Sequence, residues 1–157
     1  MQNPVAHVDI DAPIDVVWGV MLDTASYAEW NPFVVQADCP SPPKPGDPIL
    51  LHVRWANGRQ ITSPERITVV EPPTETESGA LKATLKYVYE GWPSKLKLLS
   101  GTRVQRLTQV PGGPTSYDTV EEFGGPLVRL AGPKRVEDGF RRHAEALKRR
   151  AEALRAQ

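Results

Sequence analysis

Asp23-Thr24-Ala25-Ser26-Tyr27-Ala28-Glu29-Trp30-Asn31-Pro32-Phe33 is the stretch that decides the fold. A short, aromatic-rich helical segment stops at Asn31-Pro32, because proline pushes the residue before it out of the helical region. An apolar strand over residues 33–39 begins at once. Upstream, residues 5–10 alternate apolar and polar, as a strand with one wet face does. Ala12-Pro13 then opens a helix, since proline is tolerated in a first turn. Val16, Val17, Val20 and Met21 give that helix an apolar stripe. The opening therefore reads strand, helix, short helix, strand.

Five further strands are expected, over residues 49–55, 60–70, 81–90, 103–110 and 115–123. Asn57-Gly58 predicts a tight hairpin between the third and fourth strands, with Gly58 at positive φ. The prolines at 40–45, 72–73 and 111–114 punctuate the strands as turns. Residues 92–100 read either as a short helix or as a loop on a cavity rim. From Pro133 the period changes. Val136, Phe140, His143, Ala144, Leu147, Ala151 and Leu154 recur at three- and four-residue steps, which is one apolar face of a long helix. Seven strands followed by a terminal helix give an α+β plan, with the helix covering one sheet face.

Three motifs resemble one superfamily: Trp30-Asn31-Pro32-Phe33, Arg103-Val104-Gln105-Arg106-Leu107 and Glu122-Phe123-Gly124-Gly125. Set in this order of elements, the chain resembles the SRPBCC superfamily over nearly its whole length. That superfamily is START-related and includes polyketide cyclase/dehydrase-like proteins and pollen-allergen-like lipid carriers. The resemblance implies a helix-grip fold. Its curved antiparallel sheet of about seven strands wraps a long C-terminal helix, with two short helices after strand one and a cavity between sheet and helix. A single domain over residues 1–157 is expected.

Charge is balanced, with 19 Lys+Arg against 19 Asp+Glu, so the whole chain makes no electrostatic case for nucleic acid or an anionic membrane. The basic residues near the C terminus read as the wet face of the last helix. Cys39 is the single cysteine, which excludes an intrachain disulfide and fits a reducing compartment. No basic-then-apolar leader precedes Val5 and no apolar run reaches membrane-spanning length. The expectation is a cytoplasmic protein without stable membrane insertion. The three histidines have no metal spacing, and no phosphate-binding, dinucleotide-binding or nucleophile-elbow motif is present, so neither metal nor cofactor is expected. No feature of the sequence specifies an oligomeric state.

Alternation along strands selects the candidate site. Glu65 shares a face with Ile61, Ser63, Ile67 and Val69; Tyr87 and Tyr89 share one with Leu81, Ala83 and Leu85; Glu121 shares one with Tyr117 and Phe123. In residues 103–110 the Leu107 face is taken as inward, because related sequences put an apolar residue there, and it carries Arg103 and Gln105. Trp92 is placed at the cavity mouth and Phe140 on the helix above. The ligand-binding candidates are thus Glu65, Tyr87, Tyr89, Trp92, Arg103, Gln105, Tyr117, Glu121 and Phe140. Buried carboxylates need a partner or water, so Arg103 is expected to pair with Glu65 or Glu121, or to contact an anionic or carbonyl group of the ligand. Two readings stay open for the carboxylates: a fixed polar pole in a ligand pocket, or salt bridges at the sheet rim.

The first functional expectation is binding of a small hydrophobic molecule, aromatic or lipid-like in kind, in the internal cavity. The second is a polyketide cyclase/aromatase-type enzyme, in which pocket Tyr and Arg polarise a carbonyl while Glu removes a proton. The third is a co-chaperone-like regulatory interaction domain, with a filled cavity and an exposed apolar patch.

Overall fold

A computed structural model describes residues 3–157. Strand β1 (Val5–Ile10) leads into helix α1 (Ile14–Leu22), a 3-10 turn (Thr24–Ser26) and the one-turn helix α2 (Tyr27–Trp30). Strands β2 (Val34–Asp38), β3 (Pro48–Arg54), β4 (Gln60–Glu75) and β5 (Leu81–Tyr89) follow. After the one-turn helix α3 (Trp92–Lys95) come β6 (Ser100–Gln109) and β7 (Thr115–Gly124), the one-turn helix α4 (Val128–Ala131) and the long helix α5 (Pro133–Arg155). The strands form one curled antiparallel sheet in the order β1-β7-β6-β5-β4-β3-β2. Helix α5 packs along the concave face, with α1 beside it. This is the helix-grip arrangement that the resemblance implies.

The core lies between sheet and helix. Leu107 and Tyr117 from the sheet and Leu147 and Ala151 from α5 are fully buried. Phe33 packs edge-on against Phe140, 5.9 Å between ring centroids. That approach requires Gly139, where an added Cβ would lie 2.1 Å from the Phe33 ring. Asn31 does more than end α2. Its Oδ1 accepts from the backbone N–H groups of Phe33 and Val34, both at 3.0 Å, and so shapes the entry into β2.

Some boundaries and faces differ from expectation. Pro72 and Pro73 lie within β4, at a register irregularity between Glu71 and Thr74 where ladder bonds are not needed. A second irregularity, between Ile67 and Val69, hands the inward position to Val70, which packs on the core in place of Val69. The β3–β4 hairpin is one residue longer than a two-residue turn. Arg54 pairs with Gln60, and Gly58, at φ +86°, donates its N–H to the Trp55 carbonyl. Residues 92–95 form α3, with Pro93 in its first turn.

Candidate functional site

Glu121 of β7 sits directly opposite Arg103 of β6, and Arg103 opposite Tyr87 of β5. Glu65 of β4 pairs with Tyr89 of β5 one row over. Arg106 is exposed, so the Leu107 face of β6 is the concave one and Arg103 and Gln105 are buried beneath α5. Alternation alone thus brings two carboxyls and a guanidinium to one region of the inner sheet face.

The guanidinium does not pair with either carboxylate. Arg103 Nε donates to Thr119 Oγ1 at 3.1 Å, and its two terminal nitrogens donate to the hydroxyls of Tyr87 (3.1 Å) and Tyr117 (3.3 Å). Gln105 ties the same hydroxyls together: its Nε2 donates to Tyr87 at 3.2 Å and its Oε1 accepts from Tyr117 at 2.7 Å. The plane of the guanidinium lies against Phe140, 4.1 Å from the ring centroid. The expected Arg103–Glu ion pair is therefore absent among the described residues. Neutral hydroxyls and an aromatic face take the place that was assigned to carboxylate.

Above this layer lies a cleft of about 180 Å³ between β2–β7 and the start of α5. Phe33, Trp55, Phe123 and Phe140 line its walls, and Glu65, Arg103 and Glu121 its polar end. Gly101 leaves room here. A Cβ on it would stand 2.9 Å from Glu121 Oε1 and 3.5 Å from the Phe123 ring. Tyr89 lines the cleft as well, its ring folded over Gly91, where any side chain would overlap the Tyr89 hydroxyl.

Neither carboxyl has a protein partner among the described residues. Glu121 Oε2 is buried without a hydrogen bond, and so is Trp55 Nε1 on the opposite wall. Burial raises the Glu65 pKa well above the usual carboxylate range; the nearby Glu121 charge adds to this and Arg103 opposes it. Burial likewise pushes Glu121 up to about 7, with Arg103 again opposing and Glu122 adding. A carboxyl with that pKa can give or take a proton near neutral pH. His143 stacks beside Tyr117, ring centroids 6.1 Å apart, with its Nδ1 3.1 Å from Asn31 Nδ2. Burial first, and then the Arg103 charge, push its pKa well below the usual imidazole value, so it packs as a neutral ring.

Of the nine candidates, Glu65, Tyr89, Arg103, Glu121 and Phe140 line the cleft. Tyr87, Gln105 and Tyr117 do not: they form the hydrogen-bonded layer under Arg103 and act on the site through it. Trp92 is outside. It stands 67% exposed at the start of α3, because the Gly91-Trp92-Pro93 turn carries it off the end of β5. Phe33, Trp55 and Val136 also line the cleft and are not among the sequence-derived candidates. Gly101 falls between residues 92–100 and the strand expected over 103–110; the structure places it inside β6, where a glycine is a sign of close approach by another group.

The profile of the family described as "Polyketide cyclase / dehydrase and lipid transport" matches residues 1–152. The chain belongs to that family. No curated protein matches the sequence. Among solved structures, the Zhui aromatase/cyclase from Streptomyces sp. R1128 superposes with a TM-score of 0.67 at 17% identity, covering 96% of this chain and 93% of the other. Ginseng (Panax ginseng) major latex-like protein 151 gives 0.62 at 12% identity, over 98% and 97% of the two chains. The di-domain aromatase/cyclase BexL, from the BE-7585A biosynthetic pathway, gives 0.63 at 17% identity, and the chain spans 50% of its length. At these identities the likeness is one of fold. The family fold is a ligand-binding one built round a hydrophobic pocket, and no described helix is long and apolar enough to cross a membrane.

Proposed function

We propose that the protein binds a small, largely apolar, aromatic-sized molecule in the cleft between sheet and α5. One observation carries this reading: an aromatic-walled cleft ends in Glu65 and Glu121, and it holds two buried polar atoms, Glu121 Oε2 and Trp55 Nε1, that no described protein group satisfies. Buried polar groups without partners are costly, and a ligand hydroxyl or carbonyl supplies the missing hydrogen bonds. The test is a titration with N-phenyl-1-naphthylamine, a neutral apolar fluorophore. Saturable enhancement is expected, and Ser63→Trp, which adds bulk to the cleft lining, should abolish it without lowering the thermal midpoint. Equal enhancement in both proteins would place the fluorophore elsewhere and sink the reading.

Glu121 favours a second reading, in the aromatase/cyclase class. A carboxyl poised near neutral pH beside a fixed guanidinium suits proton removal next to a polarised carbonyl. The Tyr87 and Tyr117 hydroxyls serve there by fixing Arg103. Glu121→Gln should then stop turnover of a poly-β-carbonyl substrate while leaving fluorophore binding intact. Unchanged turnover would exclude Glu121 as the base.

A further inference from the structure

We infer that the end of the molecule formed by α3 and α4 docks on an anionic lipid surface. The chain is neutral overall, but two of its segments there carry only basic charge, with Glu90, Glu122, Glu137 and Asp138 at their borders. Residues 91–99 and 123–136 carry Lys95, Lys97, Arg129, Lys134 and Arg135 and no acidic residue. All five are exposed, and none has a carboxylate within ion-pair distance among the described residues. Further along α5, Arg141, Arg142, Lys148, Arg150 and Arg155 are each held by an acid, while Arg149 is exposed without one among the described residues.

The same two segments present the largest apolar side chains left in water. Trp92 is 67% exposed, Leu96 62% and Leu130 73%. The segments are neighbours, joined by the Leu127 N–H donating to the Leu98 carbonyl at 2.9 Å. Both also reach the cleft, through Leu99 on one side and Ala131 and Arg135 on the other.

A tryptophan and two leucines among unpaired bases match the chemistry of a headgroup region. The indole and leucines enter the acyl boundary while the cations meet lipid phosphates. A bilayer offers phosphates and acyl chains together across the whole face, so it is the occupant to which bases interspersed with separate apolar side chains are matched. Docking there would set the cleft beside the phase in which an apolar ligand is dissolved. The inference stands on the surface and does not need the cleft to be occupied.

The experiment is co-sedimentation with vesicles of phosphatidylcholine alone or mixed with phosphatidylglycerol. Binding is expected only to the anionic vesicles and should disappear at high salt. Lys95→Glu combined with Lys97→Glu should weaken it by about tenfold or more, as loss of basic contacts at a charged surface does. Trp92→Ala should weaken it in low salt as well. Both variants change exposed side chains and should keep the wild-type melting curve and fluorophore titration, so a failed cleft and a failed docking surface are told apart. The inference is overturned if the wild type stays in solution with anionic vesicles, if neutral and anionic vesicles bind alike, or if the variants bind as the wild type does. Vesicle binding blocked by an acidic protein but indifferent to Trp92→Ala would also overturn it, in favour of a protein partner.

Discussion

Asn31 and His143, 112 positions apart, meet in the core, with Asn31 Nδ2 3.1 Å from His143 Nδ1. The amide nitrogen donates, so the imidazole accepts on Nδ1 and keeps its proton on Nε2. The other end of the same side chain caps the backbone of Phe33 and Val34. One residue thus joins the α2–β2 corner to the long helix. Asn31→Ala leaves two buried backbone donors without partners and should cost roughly 2–4 kcal/mol. Urea unfolding checks this, and a loss under about 0.5 kcal/mol would contradict the capping role.

Gly139 gives a prediction of opposite sign to helix propensity. Alanine in mid-helix ordinarily gains about 1 kcal/mol over glycine. Here its Cβ would lie 2.1 Å from the Phe33 ring. Gly139→Ala should therefore destabilise, by roughly 1–3 kcal/mol as overpacked cores do. A raised thermal midpoint would show that Phe33 can move aside freely.

Phe140 and Leu147 sit on the apolar face of α5 and are 3% and 0% exposed. Truncating either to Ala should cost roughly 2–5 kcal/mol. Phe140→Ala should also disturb the cleft, since that ring covers the Arg103 guanidinium. Denaturant melts of both variants, with the fluorophore titration for the first, separate the two effects.

Stability should depend on pH through Glu121. Its folded pKa, about 7, lies above the ordinary value of 4.5, so the folded protein binds more protons than the unfolded chain between these values. The contribution is fully present below about 4.5 and is lost as pH rises through about 7. Glu65 acts in the same direction. His143 acts oppositely: its lowered pKa contributes stability above 6.5 that is lost as pH falls. Comparing wild type with Glu121→Gln cancels the His143 contribution, and it also relieves the part of the Glu65 shift that comes from the Glu121 charge, which acts in the same direction. The variant should gain on the order of 3 kcal/mol relative to wild type between pH 5 and 8. A difference that stays flat across that range would show that Glu121 is an ordinary carboxylate.

Arg103→Met removes the charge that holds both carboxyls down. The Glu121 titration followed by carboxyl-carbon NMR should move above about 7. It also removes three donated hydrogen bonds, so the variant should lose stability as well as change the site. An unmoved titration would mean that the two groups are electrostatically independent.

The sequence alone determined the order of the seven strands and the long terminal helix, the apolar face of α5 and the concave faces of β4, β5 and β7 near the site. Those follow from local rules: proline stops helices, alternation assigns faces, and a three-to-four period marks a helix. The face of β6 came from the family resemblance, and with it they were enough to bring Glu65, Arg103 and Glu121 to one region. Parity failed only past Ile67, where an irregularity shifted the strand by one residue. What Arg103 bonds to was decided by the tertiary structure. A side chain that long can reach several neighbours, and Thr119, Tyr87, Tyr117 and the Phe140 face outcompeted the carboxylates by position. The cleft itself depends on Gly101, Gly91 and Gly139, three absences of side chain whose effect exists only when distant rings come to rest beside them. The bases on and around α3 and α4 that lack an acid partner were likewise hidden in a neutral total, because pairing is a matter of distance in space and not of composition.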